Sequence, residues 1–172
     1  MTAVPADLLI DQPTVADGAA LWRLAKDSKT LDLNSSYSYL LWCRDFAGTS
    51  AVARDADGGP VGFVTGYVRP DRPGTLLVWQ VAVDSAYRGH GIAARLLDAL
   101  TARLAAERGV TRVETTITPG NTASERLFTS FAERHDAALT RETLFDTGLF
   151  PDGTHDPEVL YLIGPLSPTT RH

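Results

Sequence analysis

The sequence contains little cysteine, no long apolar run and no excess of positive charge. Its single cysteine, Cys43, cannot form an internal disulfide, and no CxxC pair indicates a zinc site. We expect Cys43 to be a half-buried apolar residue rather than a catalytic thiol. No stretch is long enough to cross a bilayer, and the acidic start is atypical of a signal peptide. The net charge of −5 argues against a protein that binds nucleic acid or membrane. With no targeting segment and no zinc pattern, we expect a cytoplasmic protein that requires no metal.

Length and apolar spacing predict one α/β domain over residues 1–172. Strand patterns lie at 8–13, 50–54, 60–68, 75–83, 110–117, 137–145 and 159–165, with a loop at 69–74. Helical patterns lie at 16–26, 36–46, 92–107 and 122–131. The helix at 92–107 separates two strands, which implies that these strands pair in parallel. We expect a mixed central sheet of about six to seven strands flanked by about four helices, and a frayed tail at 166–172.

The segment Arg88–Ala93, which reads RGHGIA, lies between a strand and the clearest helix. The first turn of a helix carries unpaired N–H groups and the positive end of the helix dipole, and glycines allow a phosphate to approach the backbone closely. Arg88 adds a charged donor. The segment lacks the residues of a Walker loop and the glycine spacing of a Rossmann fingerprint. It therefore predicts a pyrophosphate cradle, with a simple tight turn as the alternative.

These residues resemble the signature [QR]-x-x-G-x-[GA] of the GNAT superfamily of acetyltransferases, and Val83 with the following DSAYRGHGI extends the likeness. A second similarity is Asn121 at the start of the later helix. The resemblance implies a GNAT fold, acetyl-CoA as co-substrate, and a bulge that opens a cleft beside the strand at 75–83. The cofactor-binding residues that it implies are Val81, Ala82, Val83, Arg88, Gly89, His90, Gly91, Ile92, Ala93, Asn121 and Ser124.

Acetyl transfer to an amine requires a neutral amine, a polarised carbonyl group and a thiolate that can leave. By resemblance, a backbone N–H near Val81 is the expected oxyanion donor. Many members of the superfamily carry a tyrosine seven residues after the asparagine, as the acid that protonates the thiolate. That position is Phe128 here. Another tyrosine, His155 or a water molecule must then serve, or the thiolate leaves unassisted.

Two further segments, at 30–46 and 155–162, resemble the diaminobutyrate acetyltransferase family within this superfamily, and so does 76–93. This resemblance implies acetylation of the γ-amine of a small diamino acid, L-2,4-diaminobutyrate, to give the precursor of ectoine. Such a substrate needs an anion for the ammonium that it retains, donors for its carboxylate and a proton acceptor. For substrate binding we predict Asp32, Asn34, Tyr37, Tyr39 and Trp79. For proton handling we predict Glu158, which also contributes to binding, and secondly His155.

Each assignment has a structural alternative. Tyr37 and Tyr39 fit the core face of a helix, Asp32 fits a loop cap, Asn121 fits a helix N-cap, and Glu158 fits an exposed strand edge. The function has alternatives as well. One is a GNAT enzyme for a polyamine, an amino sugar or a protein terminus, and another is a CoA-binding module without turnover. The aromatic helix at 36–46 is a possible homodimer contact.

Overall fold

A single seven-stranded sheet organises the chain in the computed structural model, which describes residues 8–167. Its strands, in sheet order, are β1 (Leu9–Asp11), β2 (Ala51–Arg54), β3 (Pro60–Arg69), β4 (Arg72–Val83), β5 (Arg112–Ile117), β7 (Glu158–Ile163) and β6 (Leu139–Phe145). Over the same residues the helices are α1 (Gly18–Ser28), α2 (Ser36–Asp45), α3 (Ile92–Arg108) and α4 (Thr122–Arg134). Only the β4–β5 pair is parallel among the strand pairs of these residues. The predicted mixed α/β sheet with four helices is confirmed.

The helices cover the sheet from two sides. On α3, Leu96, Leu97 and Leu100 are fully buried in a cluster that includes residues of α4 and of the sheet. A second cluster joins α1 and α2 to the opposite face of β2, β3 and β4. The alternation of side chains along a strand explains this division, since neighbouring residues of β2 belong to different clusters.

The regular ladder is interrupted in the middle of β4. Thr65 lies opposite Gln80, whereas Gly66 lies opposite Val78, so Trp79 is an extra residue that forms a β-bulge. The parallel pairing of β4 with β5 ends at Val78. Beyond the bulge the two strands separate, and a gap opens between them.

The backbone of β4 beyond the bulge offers hydrogen-bonding groups to this gap. The Asp84 N–H donates to the Val61 carbonyl of β3 at 2.8 Å. Because hydrogen-bonded pairs alternate along an antiparallel ladder, Val81 and Val83 direct their N–H and C=O groups away from β3. These groups therefore face the gap, where they can form hydrogen bonds with an extended ligand.

Several predicted boundaries differ by one to three residues from those of the structure. The expected loop at 69–74 is a tight connection, and β4 already begins at Arg72. Pro73 is tolerated because it precedes Thr75, where the pairing with β5 starts, so its missing N–H breaks no bond to that strand. The predicted frayed tail does not begin at 166, since the Leu166 N–H donates to the Thr111 carbonyl and Ser167 donates to that of His135. Residues 168–172 of the predicted tail lie outside the described residues.

Within residues 8–167, no helix combines the length and the apolar character that crossing a membrane would require.

Candidate active site

The gap between β4 and β5 opens onto a groove of about 600 Å³. Nine of the predicted cofactor-binding residues line it: Val81, Ala82, Val83, Arg88, Gly89, Gly91, Ala93, Asn121 and Ser124. The other two do not. His90 is exposed and lies outside the lining, and Ile92 is buried in the core because it anchors the first turn of α3 on the sheet. The groove is therefore bounded by β4, by the glycine loop and by α4.

The loop before α3 has the backbone geometry of an anion cradle. Gly89 and Gly91 adopt positive φ angles of 80° and 73°, which side chains with a Cβ atom rarely allow. Gly91 is the N-cap of α3, so the free N–H groups of the first helical turn follow it directly. The Arg88 Nε donates to the Val83 carbonyl at 3.3 Å, which ties the loop to the end of β4.

Asn121 both caps a helix and faces the groove. Its side-chain oxygen accepts a hydrogen bond from the Ser124 N–H at 3.2 Å, so it caps α4. It also lines the groove. Beyond it, α4 contributes further lining residues that the sequence reasoning missed: Ala123, Arg126, Leu127, Ser130 and Arg134. Most of them recur every three or four positions along α4, so they lie on one face of the helix, and this spacing could have predicted them.

A second cavity, of about 480 Å³, adjoins the groove. The two cavities share Thr30, Leu31 and Asn121. Five of the predicted binding and proton-handling residues line the second cavity: Asp32, Asn34, Trp79, His155 and Glu158. Residues that the sequence reasoning missed also line it: Gln80, Thr116, Thr118, Thr154 and Asp156. Little in the sequence indicated that these residues line a cavity, although Gln80 directly follows Trp79, which was predicted.

The second cavity brings together three titratable groups. The His155 Nε2 lies 3.3 Å from an oxygen of Asp32, and one polar atom each of Asp32, His155 and Glu158 lie within 4.8 Å of one another. Phe150 stacks on the His155 ring at 3.9 Å between centroids and restricts its orientation. Such a cluster can hold an ammonium group or accept a proton. That no metal ion is required stays a prediction.

Burial raises the pKa of Glu158, and a hydrogen bond with Thr116 and the neighbouring His155 only partly oppose this rise. The pKa of His155 is raised by the Asp156 carbonyl and then by the Asp32 carboxylate. Glu158 therefore holds a proton more readily than an ordinary glutamate does, and His155 does so more readily than an ordinary histidine.

The two predicted substrate-binding tyrosines do not line the cavity. Tyr37 is 65% exposed on the outer face of α2. Tyr39 is completely buried, and its hydroxyl donates to the Gln80 Oε1 at 2.9 Å. Burial raises the pKa of Tyr39, which keeps the phenol protonated as a donor. The core alternative was thus right for Tyr39, and Tyr37 fits neither interpretation.

Three other aromatic or sulfur side chains have clear positions. Trp42 of α2 stacks on Trp79 with centroids 4.6 Å apart, and this contact supports one wall of the cavity. Phe128 is 3% exposed and packs in the main core. Cys43 is fully buried rather than half-buried, and desolvation raises the pKa of its thiol to about 11, so it is an apolar residue and not a nucleophile.

Residues 19–132, which include β4, the glycine loop and most of α4, match the family model of the acetyltransferase (GNAT) family. The chain belongs to the GNAT acetyltransferase family. Its bulged strand and glycine loop therefore correspond to the features that the RGHGIA signature predicted.

Two relatives of the chain carry the same name. The chain is 77% identical to L-2,4-diaminobutyric acid acetyltransferase of Streptomyces avermitilis, over 95% of this chain and 92% of the relative. It is 46% identical to the enzyme of the same name from Marinococcus halophilus, over 93% and 91%. A solved structure of diaminobutyrate acetyltransferase EctA from Paenibacillus lautus, in complex with L-2,4-diaminobutyric acid and coenzyme A, has a TM-score of 0.86 and 41% identity, and the match covers 92% of this chain and 95% of that chain.

Proposed function

We propose that this enzyme transfers the acetyl group of acetyl-CoA to the γ-amine of L-2,4-diaminobutyrate, giving N4-acetyl-L-2,4-diaminobutyrate. The observation that carries the proposal is a cavity directly beside the cofactor groove in which, among its acidic lining residues, the carboxylates of Asp32 and Glu158 lie within 4.8 Å of each other. The names of the relatives agree with it, since those enzymes are diaminobutyrate acetyltransferases and the Paenibacillus lautus structure contains both ligands. The amine attacks the thioester directly, without an acetylated enzyme.

The charge of the cavity suits a diamino acid. Diaminobutyrate carries two ammonium groups and one carboxylate. We assign Asp32 to the α-ammonium, which keeps its charge throughout the reaction. The indole of Trp79 and the amide of Asn34 supply donors for the carboxylate. A substrate with only one amine would leave either Asp32 or Glu158 without a partner.

We assign Glu158 to remove the proton from the γ-ammonium. An alkyl ammonium has a pKa of ~10.4, so only roughly one amine in a thousand is neutral near pH 7. A glutamate with a raised pKa is a better match for that proton than an ordinary carboxylate is. The Val81 N–H, which faces the gap, is assigned to the thioester oxygen as it gains negative charge.

The leaving thiolate needs a proton, and Phe128 cannot supply it. That ring has no hydroxyl and lies in the core, and no tyrosine is among the described residues that line either cavity. His155 lines the second cavity and is the side chain that we assign to this step, with water as the other donor. We further propose a cytoplasmic enzyme of the ectoine route that forms a homodimer through the exposed surface of α2.

The decisive experiment mixes the purified protein with acetyl-CoA and measures release of the CoA thiol with L-2,4-diaminobutyrate, ornithine, lysine and spermidine. The proposal expects rapid release with diaminobutyrate and an N4-acetyl product by NMR. Release only with another amine would keep the acetyltransferase and overturn the substrate. Tight CoA binding without release for any amine would instead support a non-catalytic module.

A further inference from the structure

A buried amide forms part of the wall of the second cavity, which is called the acceptor cavity below. Gln80 follows the bulged Trp79, and only 4% of its surface is exposed. Its Oε1 accepts from the Tyr39 hydroxyl, and its Nε2 donates to the backbone carbonyl of Asp32, both at 2.9 Å. A buried amide with both ends satisfied is held in one orientation, because a rotation would leave buried groups unpaired.

The hydrogen bond from Gln80 matters because the segment that it holds is otherwise exposed. Asp32 lies in the connection between α1 and α2, and its side chain is 83% exposed. Its carbonyl also accepts from the nearby Asn34 Nδ2, but that contact is local and 3.3 Å long. The bond from Gln80 instead joins this connection to β4, in the middle of the sheet. It thereby fixes the height of the Asp32 backbone above the cavity.

Tyr39 determines which way the Gln80 amide points. The phenol donates its only proton to Oε1, so Nε2 is left to face Asp32. Tyr39 is fully buried on α2, where it packs against Trp79 at 6.1 Å between ring centroids. A chain of two hydrogen bonds therefore runs from the core of the protein to the rim of the cavity.

We propose that Gln80 is a positioning residue for the acceptor amino acid. It holds the Asp32 backbone so that the Asp32 carboxylate and Glu158 lie at the spacing that the two amines of a diamino acid require. The inference rests on the proposed function, since it assigns Asp32 to the α-ammonium. It adds a residue that acts through Asp32, and it gives Tyr39 a role in orienting that residue.

The test replaces Gln80 by leucine, which has a similar size and no donor. For Gln80→Leu we expect the KM for diaminobutyrate to rise roughly tenfold or more, the usual size of coupling within one hydrogen-bond network. The KM for acetyl-CoA should change little, whereas the melting temperature should fall, because the fully buried Tyr39 hydroxyl loses its acceptor. Thr65→Val is the matched control. Thr65 is the cross-strand neighbour of Gln80, is fully buried, and has a hydroxyl without a hydrogen-bond partner, so its loss should leave both KM values unchanged.

A double-mutant cycle separates positioning from a general packing defect. If Gln80 acts through the Asp32 carboxylate, then Gln80→Leu should have almost no further effect on kcat/KM once Asp32→Asn has removed the charge. Losses that simply multiply in the double variant would overturn the proposal. Tyr39→Phe provides a second route should Gln80→Leu fold poorly, because it removes one hydroxyl and keeps the ring. A smaller rise in the same KM is expected, and an unchanged KM would count against the inference.

Failure of this inference can be distinguished from failure of the proposed function. Wild-type enzyme that fails to acetylate diaminobutyrate would refute the function. Wild-type enzyme that does so, together with a Gln80→Leu variant of normal KM, would refute the positioning role alone.

Discussion

At the scale of single residues, Glu158 is the proposed proton acceptor. For Glu158→Gln we predict a loss in kcat of roughly 100-fold or more, the usual contribution of a general base. Because the pKa of Glu158 is raised, its carboxylate form is lost at a higher pH than that of an ordinary glutamate, so the wild-type rate should fall as pH is lowered through that range. The variant should lack this part of the pH–rate profile. Glu142→Gln, at an exposed site on β6, is the control, and equal losses in both variants would contradict the prediction.

Single residues also show where sequence reasoning stops. The glycine loop was predictable because its chemistry lies within six consecutive residues. Tyr37 and Tyr39 were not, since positions two apart on a helix point about 200° away from each other and cannot both face one cavity. The pairing of Asp32 with His155 joins residues 123 positions apart, and only the folded chain brings them together.

At the scale of elements, the bulge in β4 depends on a glycine in its partner strand. A Cβ atom on Gly66 would lie 2.6 Å from the Leu77 carbonyl oxygen. We therefore predict that Gly66→Ala forces β3 and β4 apart, costs about 1–3 kcal/mol of the free energy of unfolding and raises the KM for diaminobutyrate by moving Trp79. Urea unfolding and steady-state kinetics measure the two effects.

Gly74→Ala is the matched control for that variant. Gly74 lies in the same strand pair, on β4, and a Cβ atom there would have no neighbour nearer than 3.9 Å. Its unfolding midpoint should stay close to that of the wild type. Equal destabilisation by both substitutions would show that loss of glycine in this hairpin, rather than the close approach at the bulge, is responsible.

Most elements were predictable because apolar periodicity is a local signal, and α3 shows this best: it ends one residue from its predicted end. The turn between β3 and β4 was predicted too long, because the proline-containing segment 69–74 was assigned wholly to a loop. Whether a strand tolerates proline depends on where its neighbour begins to pair, and β5 is distant in the sequence.

At the scale of the whole molecule, one arginine joins the N-terminal part of the described chain to the sheet. Arg54 contacts Asp17 through two nitrogens at 2.7 Å and Asp11 at 2.8 Å. Burial alone would raise the pKa of Asp17, but hydrogen bonds from Arg54 and Thr14 outweigh it and lower that pKa. For Arg54→Met we predict a loss of about 3–5 kcal/mol in the free energy of unfolding, because the buried Asp17 carboxylate would lose its cationic partner and keep only the hydrogen bonds from Thr14.

The pH dependence follows from the direction of that shift. A lowered pKa in the folded state contributes stability above the unfolded value of about 3.9, and this stability is lost as pH falls through the folded value. Urea midpoints measured between pH 7 and pH 3 should therefore fall more steeply for the wild type than for Arg54→Met. The exposed pair of Arg44 and Asp45 is the control, and Arg44→Ala should leave the midpoint unchanged.

The two adjoining cavities are built from different kinds of structure, and this difference affects how the enzyme can evolve. The cofactor groove is made by the bulged strand, the glycine loop and α4, which also carry the core. The acceptor cavity is closed by two connecting segments, near Asp32 and near His155. Connections tolerate replacement better than core elements do. A lineage can therefore exchange the amine it acetylates by altering those two segments, while the half of the site that handles the cofactor is inherited unchanged.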